Sequence, residues 1–213
     1  MARQRSLLDL ESMASEFRMR NGVPDDFNLD LADLLRRMKI TGEINNYRFV
    51  DPSESSRIKG RFVPEINEVH IYENPESTSS NDTKFTIAHE IAHSILHGDF
   101  ERNRTKEGVI QFGKQVQIDE EEADILAGML LIPARLLHGL RQKTIVEIAQ
   151  TFGVSEHLAR TRLVQLRLEL LQFGEIATRD FGSYLFEELK EFDTGDYAAA
   201  FHEMLKNAKR WNG

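Results

Sequence analysis

The chain of 213 residues has no cysteine. Disulfides are therefore excluded, and so is thiolate ligation of a metal; any metal site must use imidazoles and carboxylates. No apolar run reaches the length needed to cross a bilayer. The opening stretch Met1-Ala2-Arg3-Gln4-Arg5-Ser6-Leu7-Leu8-Asp9 lacks the continuous apolar core of a secretory signal. These absences predict a cytoplasmic protein without membrane association. A basic surplus is missing too: 27 lysines and arginines face 35 acidic residues, a net charge of −8. That argues against direct DNA binding, which requires a basic surface, and suits attraction to a basic protein partner. There is no internal repeat and no glycine-rich phosphate loop. The length suits one domain or one and a half, enough to bury a core.

What is present is His89-Glu90-Ile91-Ala92-His93. On a helix, residues four apart lie one turn above each other, about 6 Å along the axis. Two imidazoles at that spacing can hold one tetrahedral Zn²⁺ through bonds of about 2 Å. Glu90, beside the first histidine, can take a proton from water activated there. The surrounding residues 81–98 read as a helix, with Asn81 or Asp82 as cap and Gly98 at the C-terminal end. Phe85, Ala88, Ala92 and Ile95 form one apolar stripe, and Ile87 and Ile91 add a second edge. A helix apolar on more than one side belongs in the interior. Buried polar groups there need partners, and a metal supplies one.

A third protein ligand is required. His97 lies two turns beyond His89, about 12 Å along the axis, and cannot join without breaking the helix. The downstream run Asp119-Glu120-Glu121-Glu122-Ala123-Asp124 reads as the acidic first turn of a second helix ending at Pro133. Glu120 and Asp124 share a face. Glu120 could bind the metal, and Asp124 could accept the free N–H of a ligand histidine and fix its tautomer. Glu121 and Glu122 compete from other faces of the same turn. His70, Tyr72, His138 and Arg61 are all conceivable donors to a developing oxyanion, with no basis for choosing among them.

Elsewhere, residues 7–20 predict a helix with Leu7, Leu10, Ala14 and Phe17 on one stripe, and residues 29–38 a second. Residues 45–50, 60–63 and 68–72 read as short strands. The last precedes the metal helix and is expected to be the edge strand that pairs with extended substrate. Residues 145–163 read as helix, tight turn at Gly153, then a helix capped by Ser155, the helix-turn-helix pattern. His157, Arg160 and Arg162 could serve as base readers. However, residues 141–170 hold five basic and three acidic side chains, so a packing or partner-docking module is the favoured reading. In the tail, Phe181, Leu185 and Leu189 predict one amphipathic helix, and Tyr197, Phe201, Met204 and Leu205 another.

These motifs carry a resemblance. The segments Phe85-Thr86-Ile87-Ala88-His89-Glu90-Ile91-Ala92-His93-Ser94-Ile95-Leu96-His97, Glu120-Glu121-Glu122-Ala123-Asp124-Ile125-Leu126-Ala127 and Leu131-Ile132-Pro133 resemble the ImmA/IrrE metallopeptidases of bacteria and their mobile elements, over roughly residues 25–170. The resemblance implies that Glu120 is the third zinc ligand. It also implies an intracellular endopeptidase that cleaves a helix-turn-helix repressor. Asp124 stands where that family usually has Asn, and Leu126 where it has Phe. The expected architecture is α+β: a zincin-like peptidase core with N-terminal helices over residues 1–135, a helix-turn-helix-like segment over 136–171, and a helical tail over 172–213. The expected roles are His89, His93 and Glu120 as Zn²⁺ ligands, Glu90 as general base and Asp124 as the partner of a ligand imidazole. The competing class is a non-catalytic regulator that binds DNA or a repressor and keeps a structural or vestigial metal site.

Overall fold

The computed structural model describes residues 5–23, 28–51, 59–72, 80–97, 114–138 and 143–172. The amphipathic stretches expected in the tail, and Gly98, lie outside them. The architecture is α+β, with a three-stranded sheet and helices packed around one hydrophobic core. Among the described residues, no helix is long and apolar enough to cross a membrane.

Helix α1 (Leu7–Arg20) starts at a capping box, in which the Ser6 and Asp9 side chains bond each other's backbone N–H. Its predicted stripe of Leu7, Leu10, Ala14 and Phe17 is buried. Helix α2 (Leu31–Thr41) is capped by Asp30 and stops at Gly42, whose φ of 79° only glycine adopts readily.

Strands β1 (Asn46–Phe49), β2 (Gly60–Val63) and β3 (Glu68–Ile71) pair in the order β1-β3-β2, with β1 parallel and β2 antiparallel to β3. This corrects the expectation for residues 68–72. β3 is the central strand and pairs on both sides, so among the described residues β1 and β2 are the edges. Val69 and Ile71 face the core, while Glu68 and His70 take the opposite face. The Tyr72 N–H donates to the Lys59 carbonyl at 2.8 Å. With the observed register, the bonded pairs then fall on Lys59, Arg61 and Val63. The backbone groups of Gly60 and Phe62 are left pointing to the free edge.

Helix α3 (Asn81–His97) follows. Its cap is Ser80, whose hydroxyl accepts from the Thr83 N–H at 3.2 Å, one residue before the positions expected. Helix α4 (Lys114–Leu131) begins five residues earlier than the acidic run suggested. The acidic cluster therefore sits in its second and third turns, not in the first, where the helix dipole would favour it. A short α5 (Ala134–His138) leads to α6 (Ile145–Phe152) and α7 (Glu156–Gln172).

The α6–α7 pair matches the sequence expectation: Gly153 turns at φ 61°, and the Ser155 hydroxyl accepts from the Leu158 N–H. Its surroundings do not leave it free. The turn packs against α3, where a Cβ at Gly153 would lie 2.6 Å from the Lys84 ammonium. Lys84 in turn donates to Asn28. Arg162 is no base reader: it is fully buried and ion-paired with Glu11 of α1, and its Nε donates to the Ile132 carbonyl at 3.0 Å. Glu11 also accepts the Ala134 N–H at 3.0 Å. One carboxylate thus ties α1, the start of α5 and α7 together.

Glu11→Ala takes the carboxylate partner from a buried guanidinium, and should lower the unfolding free energy by about 3–5 kcal/mol in urea denaturation. The double change Glu11→Met with Arg162→Met should recover most of that loss. A single variant within about 1 kcal/mol of wild type would show that the pair does not hold the helices.

Candidate metal centre

Helix α3 is anchored in the core by Ile87, Ala88, Ile91 and Ala92, which are fully buried. His89 and His93 emerge one turn apart, where α3 meets α4, the most extensive helix contact in the fold. The two Nε2 atoms lie 2.9 Å apart. Across from them, Glu120 of α4 places one carboxylate oxygen 3.3 Å from His89 Nε2 and the other 3.5 Å from His93 Nε2. The donor atoms of these three residues all fall within 4.8 Å of one another.

A tetrahedral ion with bonds of about 2 Å has ligand atoms about 3.3 Å apart. The three observed separations bracket that value. The donors therefore fit a small divalent cation, and three ligands leave one position for water or substrate.

Asp124, one turn after Glu120, bonds His89 Nδ1 at 2.8 Å. Accepting the Nδ1 proton leaves the Nε2 lone pair directed at the donor cluster. Burial opposes charge on His89. The Asp124 bond and the carboxylates of Glu90 and Glu120 outweigh it, so the imidazole pKa is raised. The expected competitor Glu122 is committed elsewhere: it is buried, accepts the Arg5 backbone N–H at 2.6 Å and pairs with the Arg5 guanidinium. Glu121 is not part of the donor cluster. Of the conceivable oxyanion donors, His70 bonds Glu68 on the sheet face away from the core.

Glu90 is buried to 6% exposure, and its carboxylate accepts the Phe62 N–H of β2 at 2.5 Å. Burial pushes its carboxyl up to about 7, against the pull of the His89 charge and the Phe62 N–H. Gly60 makes this approach possible, because a Cβ there would meet Glu90 and Thr86. Sequence reasoning missed Gly60 and Phe62. A glycine at a strand start reads as turn punctuation, and a backbone N–H carries no side-chain signature.

Residues 50–164 match the profile of the family Peptidase_M78, described as IrrE N-terminal-like domain. No curated protein matches the chain. Among solved structures, a Mycobacterium tuberculosis transcriptional regulator is similar in fold, with a TM-score of 0.51 at 20% identity. The similarity covers 73% of this chain and 46% of that one. The chain thus spans less than half of that protein's length.

The raised Glu90 pKa makes a pH prediction for protein stripped of metal. An unfolded glutamate ionises near 4.5 and the buried one near 7. Between those values the unfolded chain sheds a proton that the folded one keeps. Stability from this group is therefore full below pH 4.5 and falls as pH rises through about 7. The loss is on the order of 3 kcal/mol at most. Glu90→Gln removes this dependence, so the variant should be the more stable protein at pH 8 and no better at pH 4. Parallel stability–pH curves for the two would refute it.

Proposed function

Because the chain belongs to the Peptidase_M78 family, we propose that it is a zinc-dependent endopeptidase that cleaves a helix-turn-helix (XRE-type) repressor in the cytoplasm and so derepresses its genes. One observation carries this reading: a buried carboxylate, Glu90, stands beside three converging donors, His89, His93 and Glu120. Zn²⁺ held by those donors supplies Lewis acidity, which polarises a peptide carbonyl and lowers the pKa of water toward about 7.

The remaining work falls to the chain's own groups. Glu90 removes a proton from the attacking water at its carboxylate and passes it to the leaving amide nitrogen. In the metal-free chain burial already holds that carboxyl up to about 7, in the range where it can carry a proton at neutral pH. Asp124 holds the His89 ring in the tautomer that binds metal. The outer edge of β2, rather than β3, lies next to Glu90; with its Phe62 N–H taken by Glu90, the Gly60 and Phe62 carbonyls are the groups it would offer an extended substrate. The net charge of −8 suits association with a basic DNA-binding protein.

Metal content by mass spectrometry should give one zinc per chain in wild type, lost in His93→Ala and in Glu120→Ala. Glu90→Gln should keep its zinc and leave a co-expressed repressor intact, the cleavage rate falling by about 10²- to 10⁴-fold. A Gln variant that still cuts would remove Glu90 from the mechanism. Zinc kept in Glu120→Ala would move the third ligand elsewhere. A zinc-loaded wild type that binds the repressor without cutting it would favour a non-catalytic regulator.

A further inference from the structure

We propose that Gly60 is a positioning residue for Glu90: by leaving out a side chain, it lets the edge strand β2 approach α3 closely enough for the Phe62 N–H to fix the Glu90 carboxylate. The inference rests on Glu90 being the proton carrier, but its geometry stands apart from any substrate. A Cβ built at Gly60 would lie 2.8 Å from Glu90 Cγ, 2.8 Å from Glu90 Oε1 and 2.8 Å from Thr86 Cγ2. These contacts are closer than real side chains tolerate, and two of the three atoms belong to Glu90. Gly60 is not among the glycines with positive φ, so the requirement here is space rather than backbone conformation.

The carboxylate has little room to yield. Glu90 is 6% exposed, and its neighbours Ile87 and Ile91 on α3 are fully buried. A methyl group at position 60 must therefore push the carboxylate off the Phe62 N–H or push β2 off α3. The first movement relocates the base relative to His89 and His93, on the same helix; the second takes away the N–H that fixes it. The Phe62 N–H points away from β3, to the side of β2 that no described strand pairs with, and has Glu90 as its acceptor. Its protection from solvent exchange thus reports where the carboxylate is.

The experiment is amide hydrogen exchange by NMR on the zinc-loaded full chain, comparing wild type, Gly60→Ala and Glu90→Ala, with zinc content measured in each. In wild type the Phe62 N–H should exchange slowly for an edge position. In both variants it should accelerate at least about tenfold, the loss expected for one hydrogen bond to a charged group. Zinc content and the protection of Val69 and Ile71 in the central strand should not change. Slow exchange of Phe62 in Gly60→Ala would overturn the proposal. So would slow exchange in Glu90→Ala, which would mean another acceptor. Protection lost across the whole sheet would make Gly60 a folding residue only and would equally overturn it. These rates are independent of cleavage, so a wild type inactive on any repressor would refute the peptidase reading and leave this one intact.

Discussion

Everything at the centre depends on α3 being buried along most of its length. Ile87, Ala88, Ile91 and Ala92 are sealed into the core, which fixes both the rotation and the depth of the helix. His89 and His93 then have one direction open to them, toward α4. That helix contributes Ala123 and Ala127, also fully buried. Small residues on both helices permit a close interaxial approach. Glu120 and Asp124 are the polar ends of the same contact. Rigidity of this kind is what a metal site needs, because donors must be held before the ion arrives.

The carboxylates around the site differ in environment, and their chemistry differs accordingly. Glu90 is enclosed and its proton is held up to about 7, whereas Glu120 and Asp124 have more than half of their side chains exposed. Glu122, only two residues from Glu120, is buried against a guanidinium. Four acidic side chains on two helices thus occupy four environments: Glu90 enclosed, Glu120 facing two imidazoles, Asp124 bonded to one of them, and Glu122 in an ion pair. Burial and the choice of counter-charge, more than residue type, separate them.

Much of this was legible in the sequence because it is local. The α1 stripe, the β2 limits, the turn at Gly153 and the cap at Ser155 all follow from spacing and from residues that hydrogen-bond their own neighbours. A four-residue period also pairs His89 with His93 and Glu120 with Asp124 on their own helix faces, whereas the meeting of the two pairs was implied by the family resemblance. What was not legible is non-local. No pattern in residues 68–71 says that β1, far back in the chain, pairs alongside and makes β3 central. Arg162 is one of three side chains that could read bases, and nothing in its own helix says that Glu11, 151 residues away in sequence, is brought against it. The early start of α4 was masked by an acidic run that imitates a first turn.

The contribution of α1 bears on where this protein can be cut into working pieces. The family profile begins at residue 50, yet Arg5 neutralises Glu122, Glu11 neutralises Arg162, and Arg18 donates to the Leu130 carbonyl at 2.7 Å. A fragment trimmed to the profile would expose the apolar faces that α1 covers and take Arg5 from Glu122 and Glu11 from Arg162. The heritable unit of this peptidase core is therefore longer than its recognisable motif. Recombination or engineering that respects only the motif would join two halves whose charges were balanced by a segment left behind.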